Sequence, residues 1–316
     1  MERKFAIGID LGGTNMRVAL VRGDGEITKK TKEPTSEEIL PSIFAAIEGV
    51  YSEEIAGIGL GAAGVICRKD KRVLSSPNLH IIEKIDLVSE IGEKFKVPVF
   101  LENDANVAAL GELWVGSGKD FSNFVLFTLG TGIGGGIVYD GNLLNISAEI
   151  GHVSVHADGE KCPCGNSGCL ESYASVRAIL SKAFSILEGG RESSLRQYYG
   201  GNFYKLTTEE IYRAALDGDN LARDLLKNAG RYLGIGIANM INIMSPEAII
   251  LAGGLVGAWD IYVQEAVKEA SRRSFKELFE RVKVIPSLLR DDAGVIGAAR
   301  LVFHSIDGDK ISEKYG

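Results

Sequence analysis

The chain has 316 residues, of which 45% are hydrophobic and 24% are charged, and its formal net charge is −7. At about 150 residues per domain this length suggests two folded domains, and the composition excludes a disordered protein. The acidic balance disfavours a nucleic-acid partner, which usually requires a basic surface. No secretory leader or long apolar run is present, so we expect no membrane partner and a cytoplasmic location.

The first part of the chain has the pattern of an α/β domain. Ser36 is the expected N-cap of its first helix. Three consecutive strands followed by alternating helices and strands favour a mixed α/β sheet. The predicted strands are 5–10, 17–21, 27–33, 55–60 and 97–102, and the predicted helices are 36–50, 86–95 and 104–114.

The pattern restarts near residue 123. A strand, a glycine turn, a second strand and an Asp-Gly turn follow each other twice. The glycine turn is Leu11–Thr14 in the first copy and Leu129–Gly132 in the second. Internal duplication explains this best, and chance similarity between two glycine hairpins is the alternative. The segment 189–204 is polar and is expected to be a surface loop. Predicted strands here are 124–128, 137–139, 248–251 and 282–285, and predicted helices begin near Ser175, Thr207, Asn220, Trp259 and Asp292.

Glycine is enriched, with 39 residues against roughly 22 at average usage. Glycine turns after strands suggest phosphate cradles, because glycine lets backbone N–H groups approach phosphate oxygens. The chain lacks a P-loop, since Gly118-Lys119 is followed by Asp120. The glycines from Gly130 to Gly135 match a dinucleotide motif by letter, but a strand follows them where that motif requires a helix.

The paired turns resemble the ATPase domain shared by actin, Hsp70-type chaperones and sugar kinases. The resemblance implies two duplicated ribonuclease-H-like domains around a central cleft. It assigns both turns to the phosphates of ATP and a third glycine pair to the adenosine. Asp10 would hold Mg²⁺ through water, since Mg²⁺ keeps most of its hydration shell. The implied nucleotide-binding residues are Asp10, Gly12, Gly13, Thr14, Gly130, Thr131, Gly132, Gly253 and Gly254.

A compact set of metal-ligand residues follows the second glycine turn. Cys162, Cys164 and Cys169 follow His152 within 17 residues. Three thiolates and one imidazole complete a tetrahedral Zn²⁺ site with no open position, so the predicted zinc is structural. The alternative is a cluster of buried or redox-active cysteines.

The segments Glu149–His152 and Cys162–Glu171 resemble the signature of the ROK family of sugar kinases and sugar-responsive repressors. Repressor members carry a DNA-binding domain before the first strand. This chain starts at that strand, so we expect the kinase branch, and within it the greatest similarity is to glucokinases. The family resemblance also implies a homo-oligomer, either a dimer or a tetramer.

Polar residues end the strand at 97–102, where ligands of open α/β sheets bind. The resemblance makes Asp104 the catalytic base and Asn103 a ligand of the sugar hydroxyls. The alternative is that both residues only cap the following helix. By the same resemblance, Asp104, Glu149, His152 and Glu171 contact the sugar.

The segment Ser76–Leu79 is followed by His80-Ile-Ile, where glucokinases of this family often have proline, glycine and tryptophan. Asn78 is a further candidate sugar ligand, with a Pro-Asn turn as the alternative. If this segment borders the sugar, its difference from the family's glucokinases affects which sugar is bound.

The expected function is therefore ATP-dependent phosphorylation of glucose at the 6-hydroxyl. The sequence leaves open another hexose (fructose, mannose or an N-acyl hexosamine), another donor (ADP or polyphosphate), and a non-catalytic sugar sensor. The expected small domain is 1–115 with a returning C-terminal helix at about 300–316, and the expected larger domain, carrying the zinc loop, is 116–299.

Overall fold

The computed structural model describes residues 5–52, 54–76 and 79–306. The chain divides into two compact units. The first comprises Met1–Leu126, Gly136–Ala148 and Ser287–Gly316, and the second comprises Phe127–Gly135 and Glu149–Pro286.

The described part of the chain contains both strands and helices. The strands are β1 Phe5–Leu11, β2 Asn15–Arg22, β3 Ile27–Pro34, β4 Ile55–Ala62, β5 Val65–Cys67, β6 Arg72–Ser75, β7 Val99–Asn103, β8 Phe124–Leu129, β9 Ile133–Tyr139, β10 Asn142–Leu143, β11 Ala248–Ala252 and β12 Lys283–Pro286. The helices are α1 Ile39–Val50, α2 Leu87–Phe95, α3 Asp104–Val115, α4 Glu171–Ala174, α5 Val176–Glu188, α6 Thr208–Leu216, α7 Asn220–Met244, α8 Gln264–Arg273, α9 Lys276–Phe279 and α10 Ala293–Ile306. Within the described ranges, no helix is both long and apolar enough to span a bilayer.

The first sheet has the strand order β3-β2-β1-β4-β7. Strands β1, β2 and β3 are antiparallel, whereas β1, β4 and β7 run parallel. Helix α10 lies directly against this sheet where glycines remove the side chains. A Cβ at Gly8 would lie 1.9 Å from the Val295 carbonyl oxygen, and one at Gly59 would lie 1.8 Å from that of Ala298. These two glycines therefore fix the helix against β1 and β4.

The second sheet repeats the order of the first as β10-β9-β8-β11-β12. Strands β8 and β9 enclose the second glycine turn, as β1 and β2 enclose the first. Strands β11 and β12 are parallel, as β4 and β7 are. The predicted internal repeat is therefore confirmed at the level of strand order.

Helix caps account for two predicted helix starts. Ser175 accepts a hydrogen bond from the Ala178 N–H at the start of α5, and Thr207 forms a capping box at the start of α6. The predicted N-cap at Ser36 is wrong, because α1 begins at Ile39 and has no side-chain cap. The Ser36 hydroxyl instead accepts from the Glu38 N–H at 3.1 Å, in a turn that precedes the helix.

Candidate active site

The parallel strands of the first sheet bring two candidate carboxylates to one end. Asp10 on β1 pairs in register with Gly61 on β4, and Gly61 pairs with Glu102 on β7. A Cβ on Gly61 would lie 3.5 Å from the Asp104 Cα. Asp10 lies on β1 and Asp104 directly follows β7, so the two residues flank Gly61 on the intervening strand β4, with neighbouring strands about 4.8 Å apart.

Asn103 caps the helix that carries Asp104. The Asn103 Oδ1 accepts from the backbone N–H groups of Ala105 at 2.9 Å and Asn106 at 3.1 Å, while its Nδ2 donates to the Gly64 carbonyl at 2.9 Å. Asp104 is half-buried as the first residue of α3, and its Oδ1 also accepts from the Ala105 N–H. The capping role of Asn103 leaves one of its two amide N–H groups for a ligand.

A buried ion pair holds this strand end in place. The Glu102 carboxylate, whose side chain is 9% exposed, receives two hydrogen bonds of 2.8 Å from the guanidinium of Arg68. Glu102 also accepts from the Asn103 N–H and the Asn106 Nδ2. Arg68 and Asn106 both donate to the Ile146 carbonyl. The sequence analysis missed Arg68, since no local pattern links it to a residue 34 positions away.

Asp10 lies in a charged environment beside the first glycine turn. Its Oδ2 is 3.2 Å from Arg17 Nη1, and Arg17 Nη2 is 3.0 Å from Asp291. Burial raises the pKa of Asp10, although Arg17 opposes this shift. A Cβ on Gly294 would lie 2.8 Å from the Asp10 Cγ, so α10 begins directly against this carboxylate. A nearby cation would offset the cost of burying the Asp10 charge.

Inward hydrogen bonds hold the first glycine turn. The Gly12 N–H donates to the Asn15 carbonyl at 3.1 Å. The Thr35 hydroxyl donates to the Gly12 carbonyl at 2.7 Å, and the Thr35 N–H donates to the Thr14 carbonyl at 3.0 Å. Gly13 and Thr14 are exposed. The tip of the turn is therefore accessible while its carbonyl groups bond to the protein.

The second glycine turn lies beside the third glycine pair. The Gly130 N–H donates to the Gly132 carbonyl, and the Gly130 carbonyl accepts from the Val176 N–H at the start of α5, both at 3.0 Å. Gly253 has φ +94°, and a Cβ there would lie 2.4 Å from the Leu129 carbonyl oxygen. Only glycine permits this approach, so the segment that begins at Gly253 contacts the end of β8.

Glu171 supports the second turn from within the same unit. Its Oε2 accepts from the Ile133 N–H at 2.8 Å, and its Oε1 accepts from Arg177 at 2.7 Å. A Cβ on Gly132 would lie 2.3 Å from this carboxylate. The predicted sugar ligand Glu171 thus also orders the predicted phosphate turn, and the sequence analysis missed Arg177 and Ile133.

The four predicted zinc ligands converge. One ligand atom from each of His152, Cys162, Cys164 and Cys169 lies within 4.8 Å of the others. The Cys164 and Cys169 sulfurs are 3.7 Å apart, and the Cys162 sulfur is 3.6 Å from His152 Nδ1. Tetrahedral zinc, with Zn–S near 2.3 Å and Zn–N near 2.0–2.1 Å, requires about 3.8 Å between sulfurs and about 3.6 Å between sulfur and nitrogen. The residues therefore fit Zn²⁺.

Local turns and thiol crowding support the same conclusion. Gly165 and Gly168 have φ of +93° and +74°, which lets the loop reverse between the ligands. Burial, with hydrogen bonds to the two other thiols, raises the pKa of Cys169 to about 12. A divalent cation removes this cost, because it binds the thiolate directly.

His152 presents its second ring nitrogen away from the cysteines. Its Nε2 is 4.0 Å from the Glu149 Oε2, while Nδ1 lies on the cysteine side. Both residues flank the short 3₁₀ turn Ile150–His152. The other candidate sugar ligand, Asn78, lies outside the described residues.

Comparisons with known proteins agree over nearly the whole chain. The model of the ROK family matches residues 6–305. A glucokinase of Thermotoga maritima is 38% identical, covering 98% of this chain and 100% of the relative. A xylose repressor of Caldicellulosiruptor bescii is 32% identical, covering 94% of this chain and 77% of the relative.

A solved structure is similar at the level of the fold. The crystal structure of a ROK family glucokinase from Streptomyces griseus, in complex with glucose and AMPPNP, matches with a TM-score of 0.83 and 32% identity, covering 94% of this chain and 98% of that one. Together with the repeated sheet order, this match confirms the predicted fold of duplicated actin- and hexokinase-type ATPase domains. The chain belongs to the ROK family.

Proposed function

We propose that this protein transfers the γ-phosphoryl group of ATP to the 6-hydroxyl of glucose, giving glucose 6-phosphate and ADP. The observation that carries the proposal is the shared register of β1, β4 and β7, which brings Asp10 and Asp104 to one end of the first sheet. The similarity to glucokinases, including one solved with glucose and an ATP analogue, supports the choice of substrates.

Asp104 is the proposed base. Its carboxylate accepts the proton of the sugar hydroxyl as the new O–P bond forms and the bond to ADP breaks. A positioned base contributes about 10²–10⁴-fold. Asp104 is the first residue of α3, directly after the strand end at which the sugar is proposed to bind.

The glycine turns are the proposed nucleotide ligands. Gly12, Gly13 and Thr14 offer backbone groups to the phosphates, as do Gly130, Thr131 and Gly132. The contact of Gly253 with the end of β8 supports assigning Gly253 and Gly254 to the adenosine of the same nucleotide. Mg²⁺, held through water by Asp10, would neutralise the phosphate charge.

The proposed sugar ligands are Asn103, Asp104, Glu149, His152 and Glu171. The remaining N–H of Asn103 and the Nε2 of His152 suit hydroxyl oxygens, while the carboxylates accept from hydroxyl protons. Zinc is the proposed structural cofactor. With Nδ1 of His152 on the metal, the ring angle and tautomer are fixed for the sugar. Asn78 remains a predicted sugar ligand.

A second candidate is a non-catalytic sugar sensor. It is favoured by one finding, the 32% identity to a xylose repressor. A regulator needs to bind a sugar but has no need of a base beside its hydroxyl. The same fold acting on another hexose, or with ADP or polyphosphate as donor, is a variant of the first candidate. A homo-oligomer, a cytoplasmic location and a role in glycolysis complete the proposal.

A coupled ADP-release assay over a panel of sugars tests the proposal. Asp104→Asn should lower kcat with glucose by about 10²–10⁴-fold, while the KM for glucose changes far less. Asp86→Asn is the matched control, because Asp86 also caps a helix of the first unit and asparagine caps equally well. If wild-type protein binds a sugar without releasing ADP above the Asp104→Asn background, the sensor is correct. If Asp104→Asn retains more than a tenth of the activity, Asp104 is not the base.

A further inference from the structure

A cavity in the second unit has no place in the proposed reaction. Its volume is about 260 Å³, and it opens to the surface between α7, α8 and the segment that follows the His152 turn. This volume is just below the roughly 300–1,000 Å³ of sites that take drug-sized ligands, so a smaller molecule suits it. The polar side chains that line it are His156, Asn228, Arg231, Tyr232, Glu269 and Arg273.

Hydrogen-bond acceptors are scarce in this cavity. The only carboxylate among its lining residues, that of buried Glu269, accepts from Arg273 Nε at 2.6 Å and is 3.7 Å from Arg272 Nη1. Glu269 thus holds Arg273 through Nε, and both terminal nitrogens of that guanidinium are left without a partner among the described residues.

Hydrogen-bond donors outnumber carboxylate acceptors among the lining side chains. Arg231 adds a second guanidinium, which acts on Glu269 through its charge but forms no hydrogen bond or ion pair with the residues that the structure describes. Asn228, Tyr232 and His156 add an amide, a phenol and an imidazole. A lining with two arginines and one carboxylate that already binds Arg273 suits a ligand that carries negative charge and only accepts hydrogen bonds.

We propose that this cavity binds the phosphoryl group of a small phosphomonoester. A phosphate group offers several acceptor oxygens to the planar forks of Arg231 and Arg273, and arginine recognises such oxygens in pairs. The Glu269 carboxylate orients the guanidinium of Arg273. It does not repel the ligand, because its oxygens face Arg272 and Arg273.

The cavity adjoins the residues proposed to hold sugar and zinc. The Tyr173 ring stacks on His156 at 6.1 Å between ring centroids and on Tyr232 at 4.2 Å. His156 and Tyr232 line the cavity, and Tyr173 lies on α4 with the proposed sugar ligand Glu171. A bound phosphomonoester therefore contacts both rings that hold Tyr173.

Isothermal titration of the full chain tests this site with two probes, inorganic phosphate and glucose 6-phosphate. Glucose and AMPPNP are present at saturation in every cell, so that the proposed active site is filled. Arg231→Ala should weaken the binding of a phosphate-containing probe about tenfold or more. Lys227→Ala is the matched control, since it removes a positive charge from the exposed face of α7 outside the cavity lining, and it should change affinity less than twofold.

The probes separate the two sources of the same group. If both phosphate and glucose 6-phosphate bind to the wild type and neither binds to Arg231→Ala, the cavity is a phosphoryl site. If glucose 6-phosphate binds more tightly than phosphate, the occupant is a sugar phosphate. Equal weakening by Lys227→Ala, or no saturable binding of either probe, overturns the proposal. The titration measures binding and the kinase assay with Asp104→Asn measures catalysis. Either proposal can therefore be refuted while the other is supported.

Discussion

Replacing Arg68 by methionine should destabilise the first unit and misplace the Asp104 strand end. The substitution keeps much of the aliphatic length but removes two hydrogen bonds of 2.8 Å from Glu102. Removing one partner of a fully buried ion pair costs about 3–5 kcal/mol. Because the Arg68 side chain is 26% exposed and Glu102 keeps its bonds from Asn103 and Asn106, we expect the free energy of unfolding to fall by about 2–3 kcal/mol.

Arg72→Met, at the start of β6, is the matched control. Arg72 pairs with Asp86 at 2.8 Å, but the two side chains are 55% and 29% exposed. Such a pair contributes at most about 1 kcal/mol. Urea titrations of wild type and both variants, followed by tryptophan fluorescence, measure the difference.

A double variant separates the lost pair from lost packing. Arg68→Met with Glu102→Gln should be less destabilised than the sum of the two single variants, because the buried carboxylate that lacks its partner is then gone. The reasoning is refuted if Arg68→Met and Arg72→Met shift the unfolding free energy equally, or if the two substitutions at 68 and 102 are additive.

Two further predictions concern the Asp10 carboxylate and the zinc ligands. Since burial raises the pKa of Asp10 in the folded state, its contribution to stability is greatest below the ordinary carboxyl pKa and is lost as pH rises through the raised value. Asp10→Asn should therefore have a higher Tm than wild type at neutral pH, and the difference in Tm should shrink in acid. Thermal melts without Mg²⁺ at several pH values measure this difference. A difference in Tm that does not depend on pH would contradict the prediction. Cys164→Ser should lose zinc and raise the KM for glucose while AMPPNP affinity stays close to wild type, as metal analysis, kinetics and nucleotide titration will show. Cys67→Ser, which changes the cysteine outside the cluster, should keep both zinc and activity, and an active, metal-free Cys164→Ser protein would exclude the structural role.

Local patterns were enough to predict several features of this protein. The four zinc ligands lie within 17 residues, so loop closure is short and the turn glycines between them favour convergence. Thr207 and Ser175 predicted helix starts because a cap depends only on the next three residues. The repeated order of strand and turn predicted two sheets of the same topology, since neighbouring strands tend to pair with each other. The prediction of Ser36 as an N-cap was wrong because its hydroxyl forms a local hydrogen bond in a turn before the helix.

Tertiary structure alone decided which distant residues meet. Arg68, in the turn that follows β5, reaches Glu102 on β7 only in the folded chain, and Gly253 meets Leu129 only because β11 lies beside β8. The arginines of the α7–α8 cavity likewise converge through helix packing. Such contacts depend on strand register and on how side chains fill a dense interior. These quantities belong to the folded chain as a whole, and no short stretch of sequence encodes them.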